Sequence, residues 1–115
     1  MIRRQGTYES EVRENMRGGR GSVRIEHFWK KGDLLAKTRL CARMILEPGA
    51  SIGPHSHDQE EEVYIVLRGQ GRVTEAAGAI EVGPGDTVLT GNGASHSVES
   101  IGSEPLEMIA VIAQY

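Results

Sequence analysis

The stretch Gly49 to Gly69 reads GASIGPHSHDQEEEVYIVLRG, and its spacing decides how the rest of the chain is read. His55 and His57 stand two apart, so on an extended strand their imidazoles share one face and can share an ion. Glu62 has the opposite parity. An irregular linker over Asp58 to Glu61 is therefore expected, returning the chain with the Glu62 carboxylate pointing inward. Val63 to Leu67 is β-branched and aromatic, which predicts a strand, and Gly69-Gln70-Gly71 closes it. Tyr64 and Val66 then share the face of Glu62, while Val63, Ile65 and Leu67 form an outward apolar row.

Upstream, Ala36 to Leu46 has apolar even positions (Leu40, Ala42, Met44, Leu46) and odd positions that include Arg39, Cys41 and Arg43. This period of two marks a strand with one buried face, and the even set is expected to be that face. If the odd set lines the cavity mouth instead, Arg39 and Arg43 would favour a carboxylate-bearing ligand. Val23 and Ile25, with His27 at the next position of the same parity, alternate with Arg24 and Glu26 in a further strand. His27 is read as structural or as a cavity residue. Downstream, Arg72 to Glu75 and Ala79 to Val82 pair around Ala76-Ala77-Gly78. Strands also cover Thr87 to Thr90, His96 to Ile101 and Leu106 to Ala113. Short strands at regular spacing, with glycine-rich turns between them, predict an all-β sandwich or barrel. Only residues 8–16 carry any hint of helical periodicity.

His96 opens its own strand after Gly91-Asn92-Gly93. Three of the four histidines in the chain, His55, His57 and His96, thus join Glu62 in one candidate metal site. Three imidazoles and one carboxylate suit a first-row divalent ion and leave room for water or a ligand. Of the three successive glutamates, Glu62 is preferred by its six-residue separation from Gly69; Glu60 shares the parity of Glu62 and is read as supporting the ligands or as solvated, with solvation favoured for both Glu60 and Glu61.

The spacing of Gly49, His55, His57, Glu62 and Gly69 resembles the first signature of the cupin family. Gly85, Gly91, Gly93, His96 and Ser100 resemble the second, with glycine at Gly91 where the family usually has proline and serine at Ser100 where it usually has asparagine. All four ligand positions are intact, and the resemblance covers Glu47 to Val111. It implies a double-stranded β-helix, or jelly-roll barrel, over residues 23–115, holding one divalent transition metal. Manganese, iron, nickel and zinc are not distinguished. The family's chemistries include dioxygenases, decarboxylases, isomerases and non-catalytic binders. The expected function is a metal-dependent enzyme acting on a small polar carboxylate or sugar, with a non-catalytic binding or structural subunit as the alternative. Tyr64, Arg39 and Arg43 are the candidate substrate-pocket residues. The resemblance also implies pairing as a homodimer, which would cover the Val63, Ile65, Leu67 row.

Bulk properties agree with this reading. The 115 residues make one domain, and with 4% aromatic residues the core must be aliphatic. A net charge of −3 argues against nucleic acid and anionic membranes as partners. No run of eighteen apolar residues exists to span a bilayer, and the N-terminus lacks the apolar segment of a signal peptide. The single cysteine, Cys41, permits no internal disulfide and fits a cytoplasmic protein. Residues 1–22 are expected to be an irregular N-terminal arm. Its Arg13, Arg17 and Arg20 lie among glycines and are read as part of a flexible covering segment, as an arginine clamp for an anionic ligand or, less favoured by the acidic charge, as a nucleic-acid contact.

Overall fold

The structure is a computed structural model describing residues 1–115. Its strands are β1 (Glu9–Glu14), β2 (Ser22–His27), β3 (Thr38–Leu46), β4 (Ser51–Ser56), β5 (Glu60–Arg68), β6 (Gly71–Glu75), β7 (Gly78–Val82), β8 (Thr87–Gly91), β9 (Ser95–Ser100) and β10 (Leu106–Gln114). They form a six-stranded sheet in the order β1-β2-β3-β10-β5-β8 and a four-stranded sheet in the order β4-β9-β6-β7. Every pairing is antiparallel. The expected jelly roll is thus two facing sheets rather than a barrel closed by continuous hydrogen bonding. No helix is long and apolar enough to cross a membrane.

Alternation along each strand sends one set of side chains between the sheets. Ala42, Met44 and Leu46 of β3 are buried, as the even-position reading expects, and meet Leu106, Met108 and Ala110 of β10. Ile52, Val73 and Val98 complete the core from the smaller sheet. The site forms where buried polar groups join these apolar side chains.

Residues 1–22 differ from the expected irregular arm. Glu9–Glu14 is a strand paired along its length with β2, followed by a 3-10 turn at Met16–Gly18. The hint of helix at 8–16 is overturned too. The segment ESEVRE lacks an apolar alternation because it is an edge strand whose two faces are both polar. Period-two analysis is blind to such strands.

Candidate metal centre

The smaller sheet supplies the histidines, and the larger one supplies the carboxylate. His55 lies near the end of β4, which is irregular between Ile52 and His55, and pairs with His96 on β9. His57 lies one residue beyond β4, where its backbone N–H is held by Ala94 and its carbonyl by Gly93. The linker to the carboxylate is shorter than expected: β5 already begins at Glu60, and Gln59 makes the corner with a φ of 58°. Glu62 then enters from β5 with its side chain buried.

The four predicted ligands converge. Their ligand atoms all lie within 4.8 Å of one another. His96 Nε2 is 3.1 Å from the Nε2 atoms of both His55 and His57. Glu62 Oε1 is 3.0 Å from Nε2 of His57 and of His96, and 3.9 Å from that of His55. Each histidine has its other ring nitrogen occupied. Nδ1 of His55 meets the Gly53 carbonyl oxygen at 2.8 Å, Nδ1 of His57 meets Glu60 Oε2 at 2.6 Å, and Nδ1 of His96 meets Thr90 Oγ1 at 2.8 Å. The Gly53 carbonyl and the Glu60 carboxylate only accept, so they place the proton on Nδ1 of His55 and His57; with the Thr90 hydroxyl accepting from His96 as well, three Nε2 lone pairs are directed at one point.

Glu62 Oε1 is buried at that point without a hydrogen-bond partner. A buried carboxylate oxygen facing three lone pairs is costly in any arrangement that lacks a cation. Burial raises the Glu62 carboxyl, while His55, His96 and His57, when they carry a proton on the nitrogen facing it, outweigh burial and lower it to about 2; a bound cation would take the place of that proton. Contacts near 3 Å are also what ligands at right angles around an ion make when the bonds are about 2.1 Å long. The donor set therefore fits a divalent metal with coordination positions left open.

Glu60 is not the solvated group expected. It is only 7% exposed, and both of its oxygens are occupied by Arg39, at 2.7 and 2.8 Å, with Oε2 also accepting from His57. The Arg39 guanidinium, with burial opposing it and His57 assisting, lowers the Glu60 carboxyl to about 2. Arg39 reaches it through a β-bulge. Ile112 and Ala113 of β10 face Leu40 and Thr38, so Arg39 is the extra residue and turns inward. This contact was legible in part, since Glu60 shares the parity of Glu62. The bulge had no sequence signal.

Arg43 does not join the pocket. On the regular part of β3 its odd parity sends it to the outer face, where it donates to Glu26 at 2.7 and 3.0 Å and lies 3.8 Å from Glu107. Tyr64 does join it. Its ring stacks on that of His96, with centroids 5.1 Å apart, and burial together with the Glu62 charge raises its hydroxyl. Cys41 is half-buried, and burial raises its thiol.

A cavity of about 150 Å³ opens from the cluster, walled by His55, His57, Glu62, Tyr64, Arg39 and His27, with Arg13 and Arg17 from the N-terminal segment. His27 is thus a cavity residue, and its buried Nε2 has no hydrogen-bond partner. Wider depressions of about 330 and 680 Å³ lie along the four-stranded sheet, the larger with His96 among its lining residues.

One of the two departures from the expected motif has a local reason. Gly91 packs so closely on β5 that a Cβ there would stand 2.6 Å from that of Glu61. Ser100 is buried and holds the Gly49-Ala50 turn through backbone hydrogen bonds of 2.9 and 3.0 Å.

Comparison with known proteins agrees with this geometry. The family described as Cupin domain matches residues 42–112. The oxalate-binding protein of Thermotoga maritima is 40% identical over 112 residues, 97% of this chain and 93% of that protein. A crystal structure from Thermotoga maritima, described as a predicted oxalate decarboxylase, superposes with a TM-score of 0.95 at 39% identity, covering 100% of both chains. A Cupin 2 conserved barrel domain protein from Salinispora arenicola shares the fold, with a TM-score of 0.76 at 22% identity over 99% of this chain and 88% of that one. With the motif spacing, the converging ligand atoms and the jelly roll all in agreement, this chain belongs to the cupin family.

Proposed function

We propose that this protein binds a small carboxylate of the oxalate class at a divalent metal held by His55, His57, Glu62 and His96. The observation that carries this reading is the cavity wall. Guanidinium groups of Arg13, Arg17 and Arg39 stand beside the ligand cluster, and neither carboxylate there is free. The space of about 150 Å³ beside the cluster has room for a small organic acid. The oxalate-binding protein and the structure described as an oxalate decarboxylase, both about 40% identical, point to the same ligand class.

A bound divalent ion would supply Lewis acidity toward a carboxylate oxygen. The chain's own residues do the rest. Glu60, the Gly53 carbonyl and Thr90 orient the three imidazoles, Glu62 contributes the negative charge, and the arginines attract the anion. Binding without turnover is favoured over the enzyme expected from the motifs, because Glu62 and Glu60 are both committed and leave no carboxylate to move a proton. A turnover reading rests on His27, whose buried Nε2 makes no hydrogen bond and lies 3.6 Å from Glu11 Oε2.

Calorimetry on protein loaded with Mn²⁺ decides between these readings. Oxalate binding that disappears in metal-free protein and in His96→Ala is the expected result. Equal binding by His96→Ala, or none by the wild type, overturns the proposal. Release of CO2 and formate from oxalate, lost in His27→Ala, would establish turnover instead.

The proposal extends to assembly and location. Ile65, Leu67 and Leu89 remain exposed on the outer face of the six-stranded sheet, and a second copy would cover them as a homodimer. The lone, unpaired thiol of Cys41 suits the cytoplasm.

A further inference from the structure

The arginines of the N-terminal segment take different roles once folded. Arg20 turns outward and donates to Glu99 at 2.6 Å. Arg13 lines the cavity, but its Nε donates to Glu11 at 2.6 Å. Arg39, from β3, is held on both arms by Glu60. Arg17 lines the same cavity, and among these four it alone has no carboxylate partner.

Its backbone is fixed in an unusual way. Arg17 adopts left-handed dihedrals, φ 55° and ψ 31°, a conformation that non-glycine residues keep only when the surroundings enforce it. The enforcement comes from β4. A Cβ on Gly53 would collide with the Arg17 carbonyl oxygen, and one on Gly19 would collide with that of Ser51. Two glycines thus let the turn lie directly against the strand that carries His55.

We infer that Arg17 is the specificity-determining residue for short dicarboxylates, receiving the carboxylate oxygens that face away from the His/Glu cluster. This rests on the binding reading above and names the residue that would make it selective. A free guanidinium fork matches a carboxylate with two charge-assisted hydrogen bonds. A monocarboxylate bound at the cluster has no second carboxylate to offer it.

The test uses the full chain loaded with Mn²⁺ and titrated with oxalate, malonate and formate. The variants are Arg17→Gln and Arg17→Asn, the second because asparagine tolerates the left-handed backbone. Oxalate and malonate affinity should fall by about 10- to 100-fold, with formate and Mn²⁺ affinity unchanged to within about twofold. Variants that bind oxalate like the wild type, or that lose formate and oxalate equally, overturn the role of Arg17 and leave the binding reading standing. A wild type that takes up Mn²⁺ but neither dicarboxylate overturns both.

Discussion

At the scale of single residues, the centre is built from paired commitments. Each imidazole spends one nitrogen on a neighbouring oxygen, and the other points to the centre of the candidate metal site. Glu60 has the most consequence among these acceptors, because it joins His57 to Arg39 in the cavity wall. Glu60→Gln should weaken metal affinity by about 10- to 100-fold while the fold is retained, measured by competition with a chelating dye. The same residue sets a pH signature. Its carboxyl lies at about 2 rather than 4.5, so the stability it contributes is complete above about 4.5 and is lost as pH falls toward 2. Denaturant unfolding of metal-free Glu60→Gln should accordingly depend less on pH in that window than the wild type. Glu62, held at about 2 as well, should retain part of the dependence in both proteins.

Between elements, the decisive contact is the seating of the Met16–Gly18 turn on β4. Glycine at 53 is needed because the Arg17 carbonyl occupies the space of its Cβ. Gly53→Ala should force the two apart and cost about 1–3 kcal/mol, read as a lower thermal midpoint. Because the turn carries Arg17, oxalate affinity should fall more than metal affinity. The β3 bulge is a second device of this kind. One extra residue turns Arg39 inward while Arg43, four residues on in the regular strand, remains outside with Glu26 and Glu107. Gly69 is a third: it has a φ of 79°, and a side chain there would collide with the Pro105 carbonyl, which explains the glycine that bounds the first motif.

For the whole molecule, the two sheets differ in purpose. Leu46, Leu106 and Met108 fill the core between them, while Met44, Ile25 and Ile52 of the same core wall the cavity together with the candidate ligands and the arginines. The outer face of the larger sheet is apolar near its β5-β8 edge, where Ile65 is 36%, Leu67 40% and Leu89 63% exposed. If a second copy covers this face, the double variant Ile65→Lys with Leu89→Lys should halve the mass seen by light scattering at micromolar concentration and still bind metal. An unchanged mass would place any interface elsewhere.

The local sequence determined the candidate ligand set and the class of fold. Motif spacing named His55, His57, Glu62 and His96, and period-two alternation identified most strands, because both signals lie within a few residues of chain. Tertiary structure decided what depends on neighbours distant in sequence. Glu9–Glu14 becomes a strand only because β2 presents it an edge. Arg39 enters the cavity only because a bulge against β10 reverses its parity. Glu60 is buried only because Arg39 and His57 converge on it from either side. Arg17 faces the metal ligands only because Gly53, thirty-six residues later in the chain, leaves room for its backbone. Spacing along the chain carries ligand identity, but only packing between segments can turn an arginine of a glycine-rich stretch into part of the site.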